Sequence, residues 1–476
     1  EHLSVAKTMT CLAQAMEEFD DTITAKTFAQ YAMKIRSSQL PSEHRLIGES
    51  LHLLGSILDR MGEQDEAIIL YNKAIEIRKI SLGKDHPTLA MTYTNLAIIL
   101  DAKDRLDEAE DMLRDALEIV RRAYGDENLL VSDAFLRLAS TLISQGEYEE
   151  CKQVLEKSIE IRKLLSNHED LSLAESYKLL SITLRELGKY NDAKPIARDA
   201  LVLYHTILGD NHADTTDALH NLGVISDALA NYEEAGNTFR LALKHRRRLL
   251  GNEAVEVAET LSSLSSVLQV QGKIDEAEST IQEALSIYKK KFGDEHPMGI
   301  ECMVNLANIY KIKNRLDEAK KLYDEALEIA QRLHGRCHVS VAQLLNNIGV
   351  ILKLKGDMEG AKLSYEEALI IRKQVCGKDH PHVGESLNNL AVLHKEQGRL
   401  REAKGFFEQA LAIYKKVYNN EHEVVAATYH NLAGLLYAQD PRSSMAVKYG
   451  KQAVEIATKV LGESHPTSQL YKSEWS

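Results

Sequence analysis

Two series of residues, each repeating at a step of 42, have side chains that could do chemistry. The first occupies position 95 and its equivalents, which read Cys11, Leu53, Asn95, Arg137, Leu179, Asn221, Ser263, Asn305, Asn347, Asn389 and Asn431. Asn is a mediocre helix former, and neither core packing nor capping asks for it in the middle of a helix. Its amide carries donors and an acceptor, which together match one peptide group of an extended ligand. Three residues on, Asn308, Val350 and Val392 line the same side, the two valines giving an apolar floor, and Lys311, Lys353 and Lys395 recur at one edge. The chemistry on offer is a grip on a peptide backbone. The alternative is that these amides bond the neighbouring repeat and hold the array together.

The second series is His86, His212, His296, His338, His380, His422 and His465. A metal ion needs several donors converging at about 2 Å, whereas these imidazoles come one per unit, each just before a helix. A helix-entry role is expected, and no metal site. The basic run Lys244 to Arg248 looks like a nucleic-acid patch, but Arg78-Lys79, Arg121-Arg122, Arg162-Lys163, Lys289 to Lys291, Arg372-Lys373 and Lys415-Lys416 fill the same place in other units. Cations at helix C-termini complement the helix dipole, which accounts for the whole series. No phosphate-binding Gly-Lys-Ser/Thr loop, H-E-x-x-H or G-x-S-x-G motif is found, so neither catalysis nor a cofactor is expected. Position 91 and its equivalents hold Glu49, Asp133, Glu175, Asp217, Glu259, Glu301 and Glu385, so the groove is mixed in sign. That is unlike a clamp built to grip two carboxylates with Lys and Arg.

These residues need elements that recur at the same step. Of 476 residues, 27% are charged and 44% hydrophobic, a core-forming composition too long for one ordinary compact domain. The formal charge of −13 gives no counterion-release drive towards nucleic acid or acidic lipid. Five cysteines with no C-x-x-C pair fit free thiols in a reducing cytoplasm, and no apolar run is long enough to insert into a membrane. The large-small step Leu12-Ala13, Leu54-Gly55, Leu96-Ala97 continues at every 42nd residue to Leu432-Ala433. Two ladders of small residues accompany it: Ala25, Ala67, Ala109 and onward to Ala446, and Ala32, Ala74, Ala116 and onward to Ala453.

Within a unit, Ala90, Tyr93, Leu96, Ala97 and Leu100 form one helical stripe, and Leu106, Ala109, Leu113, Ala116, Leu117 and Val120 a second. Positions equivalent to 91, 95, 98 and 102 then lie opposite the first stripe. Glycines such as Gly83, Gly125 and Gly293 suit left-handed helix ends, and the prolines of Asp85-His86-Pro87 and Glu295-His296-Pro297 suit first turns.

Small residues at these places are the requirement of tetratricopeptide repeats, here about eight residues longer than the usual ~34. The extra length is placed as two turns on the second helix, Ile75 to Ser81 and Leu285 to Lys291. Segments Leu82 to Ala90, Leu387 to Ala391 and Ala410 to Lys415 resemble the 42-residue repeats of kinesin light chains and nephrocystin-3-like proteins. The array has about twice the repeats of a light chain and lacks its N-terminal heptads. The resemblance implies an inner groove that binds peptides and, from the light chains, cargo contact at Asn95, Asn221, Asn305, Asn347, Asn389 and Asn431.

The expected fold is an all-α, right-handed superhelical solenoid spanning 1–476. It has about eleven helix-turn-helix repeats, starting near 1, 43, 85, 127, 169, 211, 253, 295, 337, 379 and 421. A partial terminal helix covers 467–476, with Trp475 in the large slot. The expected function is that of a non-enzymatic cytoplasmic scaffold holding an extended peptide in the concave groove, centred on residues 290–440. The alternatives are a part packed permanently into a large assembly, which would show apolar patches on its outer faces, and an adaptor module of a longer chain.

Overall fold

The computed structural model describes residues 2–166, 170–418, 421–463 and 465–475. Glu1 and Ser476, the expected limits of the array, lie outside them. The described residues form twenty-three α-helices, from α1 (Leu3–Glu18) to α23 (Pro466–Trp475), and no strand. The chain is an all-α superhelical repeat. It divides into two compact units, Glu1–Leu249 and Leu250–Ser476. The first holds six helix pairs, and the second holds five pairs and the terminal helix.

The third pair shows the plan. Helix α5 (Pro87–Ala102) and helix α6 (Leu106–Tyr124) pack antiparallel, α6 also packs on α7 (Leu129–Gln145), and α5 touches α7. The extra turns lie on the second helices, as in α4 (Gln64–Leu82) and α14 (Ile274–Phe292). Both small-residue ladders are fully buried: Ala67, Ala109, Ala319 and Ala361 in one, Ala74, Ala116, Ala326 and Ala368 in the other. In α5 the expected stripe is buried, but so are Leu89, Thr92 and Ile99 on a second side. A first helix is flanked by its own partner and by the second helix of the preceding pair, from which Arg78 of α4 reaches Thr92, so two stripes are covered instead of one.

Size complementarity fixes how each pair closes. A Cβ on Gly55, Gly223 or Gly349 would lie 3.0, 2.6 and 2.6 Å from the rings of Tyr71, Phe239 and Tyr365, which project from the second helix of the same pair. The glycines that end second helices depart from the expected left-handed geometry. Gly83 has φ 90 and ψ 161, and Gly293 has φ 78 and ψ −171. This extended region of positive φ is open essentially to glycine alone.

Every 42nd residue from His2 is a helix entry. His44, His86, His212, His296, His338, His380 and His422 each accept, through Nδ1, the backbone N–H two residues on, and Asn128 and Asp170 do so with side-chain oxygens. The acid before the cap pairs with a base at the end of the second helix, as in Asp85–Arg122 (2.7 Å), Glu295–Arg332 (2.8 Å) and Asp379–Lys416 (2.5 Å). The basic slot therefore closes ion pairs besides complementing the dipole. In the Lys244 to Arg248 run, Arg246 is buried against Asp217 (2.6 Å) and His245 bonds Asn211 (3.2 Å).

Ala254 breaks the series, being the N-cap of α13 (Val255–Val270) with extended backbone and no side-chain cap. Ala254→Asn, copying Asn128, is expected to stabilise the chain by about 1 kcal/mol. A melting temperature that does not rise would show that this helix start needs no acceptor.

Candidate peptide-binding face

In the second unit the face in question is carried by α13, α15 (Pro297–Ile312), α17 (Val339–Leu354), α19 (Pro381–Glu396) and α21 (Glu423–Gln439). Asn305, Asn347, Asn389 and Asn431 are half-buried at one level of these helices. Asn305 and Asn431 make no side-chain hydrogen bond to another described residue. Asn347 accepts a long bond from Gln343 of its own helix (3.3 Å), whereas Asn389 donates to Asn346 of the preceding repeat (2.8 Å). Asn346 in turn donates to Glu385 (3.2 Å).

In the first unit, Asn221 is buried, donating to Ser181 (2.8 Å) and accepting from Arg185 (2.9 Å) of the preceding repeat, and Asn95 reaches the Tyr71 hydroxyl at 3.4 Å. The two readings of the ladder thus divide by residue. Asn95, Asn221 and Asn389 tie repeats together, while Asn305, Asn347 and Asn431 make no side-chain hydrogen bond to a described residue of a neighbouring repeat.

The lysines differ in the same way. Lys353 pairs with Glu396 of the next repeat (3.1 Å). Half-buried Lys311 meets Asn308 Oδ1 at 3.2 Å, and burial lowers its affinity for a proton below that of an ordinary lysine. Asn308 also accepts from the Tyr323 hydroxyl (2.8 Å). Lys395 has no carboxylate partner among the described residues and stands beside Gly434, where an added Cβ would lie 3.7 Å from Nζ. Val350 and Val392 are half-buried and pack on the core beneath.

One row on this face was missed by sequence reasoning. Val270, Ile312 and Leu354, at the position equivalent to 102, are each more than half exposed, at 59%, 54% and 54%. The 42-residue step carries this signal too, as an aliphatic residue at the level of 102 in three consecutive units. Beyond Asn431 the face ends in a hollow of about 580 Å³ lined by Gly434, Tyr437, Val447, Lys451, Glu474 and Trp475. Trp475 lies over Gly450, donates to His430 Nδ1 (3.2 Å) and meets the Tyr437 ring edge-on. Burial keeps His430 more easily deprotonated than usual, as an acceptor must be. The terminal helix thus covers the last pair, starting at Pro466 rather than Thr467.

A tetratricopeptide repeat model matches residues 4–80, 130–204, 256–332, 340–416 and 406–459, and two others of the same description match 89–129 and 216–247. The chain belongs to the tetratricopeptide repeat family. No curated protein matches it. Among solved structures this repeat protein is similar to BtubC (BKLC) from P. vanneervenii, at 25% identity over 49% of this chain and 94% of that one (TM-score 0.43). It is also similar to a candidate kinesin light chain from Podosopora anserina with nearly identical TPR-like repeats, at 19% identity over 42% and 96% (TM-score 0.38). The apo form of RapI matches over 78% of this chain and 98% of its own at 15% identity, and its TM-score of 0.58 shows a shared fold. Tetratricopeptide repeat proteins are in general non-enzymatic protein-interaction scaffolds. Among the described residues no helix is long and apolar enough to cross a membrane.

Proposed function

We propose that the second unit of this repeat protein is a cytoplasmic scaffold module that holds an extended peptide across its first helices. The observation that carries the reading is the adjacency of two rows on one face: amides with capacity to spare at Asn305, Asn347 and Asn431, and the exposed aliphatic row Val270, Ile312 and Leu354. Main-chain hydrogen bonds would supply grip, and the aliphatic row and the hollow at Trp475 would select side chains. Lys311 and Lys395 would steer and orient a carboxylate of the ligand.

The test is a peptide library selected on the full chain, with the selected peptide titrated against single variants. Asn305→Ala and Asn347→Ala are expected to weaken binding by about 1 kcal/mol each, leaving melting unchanged, because ligand groups go unpaired. Asn389→Ala is expected to lower melting, because Asn346 loses its donor. Equal affinity for the wild type and for both of the first two variants would remove this face from the proposal.

A second reading, that of a permanent part of a larger assembly, is favoured by one observation. Leu363 (66% exposed) and Ile370 (56%) stand seven residues apart on one side of the second helix α18 (Met358–Cys376). An apolar pair there suits burial against another protein.

A further inference from the structure

The edge lysines recur at one step, so the surroundings of each can be set against those of the next. Lys353 meets Glu396, 43 residues on, at 3.1 Å. Lys311 has Leu354 at that place and no carboxylate partner among the described residues. Its hydrogen bond goes instead to Asn308 Oδ1 (3.2 Å), one turn back on α15, and the Tyr323 hydroxyl donates to the same oxygen (2.8 Å). Ile312 and Leu354 are each more than half exposed. We propose that Lys311 is an acylation site: its amine takes a short aliphatic acyl group from a thioester, and the acyl chain lies on Ile312 and Leu354.

An ammonium group carries three donors and no lone pair, whereas a neutral amine keeps a lone pair that can attack. Half-buried Lys311 has one acceptor in reach and no counter-charge, so its ammonium form is poorly compensated for the water it loses. Burial lowers its affinity for a proton, and no neighbouring charge offsets that effect. The charges around it are engaged elsewhere. Lys313 is held by Asp275 (2.5 Å) and Glu278 (2.6 Å), Arg315 by Glu278 (2.8 Å) and Glu318, and Lys353 of α17 by Glu396. Glu301 lies ten residues back on the same helix, about 15 Å along its axis. A larger neutral share at neutral pH makes the Lys311 nitrogen a better nucleophile than an exposed lysine.

The neutral nitrogen attacks the thioester carbonyl carbon, the C–S bond breaks, and the sulfur leaves as a thiolate that takes up the proton shed by nitrogen. An amide and a free thiol result. The positive charge at this edge of the face is removed with the proton. Lys395 also lacks a carboxylate partner among the described residues, but Val392 replaces Asn308 in its repeat and Ala438 replaces Leu354, so it has neither the amide oxygen nor the aliphatic shelf. The site at Lys311 stands whether or not a peptide lies on this face.

The experiment compares two lysines of the same face. The full chain is incubated at pH 7.5 with the hexanoyl thioester of N-acetylcysteamine, and acylation of Lys311 and Lys353 is followed by mass spectrometry of their peptides. Lys311 is expected to react about fivefold faster than Lys353, whose nitrogen is paired with Glu396. Leu354→Glu gives Lys311 the partner that Glu396 gives Lys353, and should bring the two rates together. Leu354→Gln, equal in size to the Glu variant but uncharged, should leave Lys311 the faster. Both changes fall on a residue that is 54% exposed, so the fold is kept. The acetyl thioester, too short to use the shelf, should favour Lys311 less than the hexanoyl one does. Equal rates at Lys311 and Lys353 in the unaltered chain overturn the proposal, and so does an equal preference for Lys311 in the Glu and Gln variants. Equal preference with the two thioesters overturns the placing of the acyl chain on Ile312 and Leu354.

Discussion

Gly349→Leu is expected to destabilise the second unit by about 3 kcal/mol, the upper end of the usual cost of overpacking. A Cβ at this position would sit 2.6 Å from Tyr365 Cε1 and 2.8 Å from Cδ1, and the rest of a leucine would have to displace a ring that is 1% exposed. The ring has nowhere to go, because Tyr365 belongs to the same buried cluster as Val383, Leu387 and Phe407 of the next pair. Damage should spread to adjacent repeats through their shared interface. Alanine is a different case. Ala307 stands in the equivalent position opposite Tyr323, and Ala391 opposite Phe407, all four buried, so a small ring adjustment accommodates one methyl. Gly349→Ala should be nearly neutral, the gain in helix propensity offsetting that adjustment. The check is thermal melting of both variants and of Gly349→Leu combined with Tyr365→Ala, which should recover part of the loss. A leucine variant that melts with the wild type would mean that the helix pair is not closed in this way.

Arg372→Ala should cost about as much, roughly 3 kcal/mol or more, by a different route. Arg372 is 1% exposed and joins three helices. From α18 it donates to the His382 carbonyl (2.9 Å) and Ser386 Oγ (2.8 Å) of α19 and to Gln343 Oε1 (2.7 Å) of α17, with Glu385 at 3.3 Å. Burial disfavours its charge, and Glu385 opposes that effect. Truncation would leave a void and several acceptors short of a donor at once. The chain itself suggests a milder replacement. Two of the residues at equivalent positions are Tyr204 and Tyr288, both 1% exposed, and the small residues opposite them, Ala174 and Ala258, match Ala342. Arg372→Tyr should therefore lose less than half of what Arg372→Ala loses. Denaturant unfolding of the two variants decides, and an equal loss would show that the guanidinium bonds, not the filled volume, hold the three helices.

Much of this architecture is legible along the chain because each repeat meets the same neighbours, so that one environment recurs at a fixed step. Ala67, Ala109 and Ala319 could be read as sites of close approach from their recurrence alone, and His86 or His296 as helix entries from their place before a proline. What was not legible depends on side-chain direction or on the neighbouring repeat. A single stripe in α5 could not reveal that Leu89 and Ile99, outside it, are fully buried as well. Nor could the Asn ladder show that Asn221 and Asn389 are spent on the preceding repeat while Asn305 is not, since residues of the same type at the same level differ only in what stands 36 to 43 positions earlier. Lys353 is engaged in the other direction, by Glu396. The exposed row Val270, Ile312 and Leu354 follows the same step and is legible in the sequence, though its exposure is not.

Helices that pack closely on one another are neighbours, or next but one, in chain order, and the hydrogen bond from Trp475 to His430 joins positions 45 apart. A chain whose attachments are all this local can acquire structure as it leaves the ribosome. When residue 337 has been made, everything that α13 to α16 (Leu316–His334) bond to among themselves already exists, and no earlier segment waits for a distant strand to return. Low contact order of this kind favours fast folding and keeps apolar surface exposed only at the growing end. At that end the unpaired face is always the last pair made, until the ten residues of α23 bring Tyr471 and Trp475 onto α21 and α22 (Ser444–Leu461).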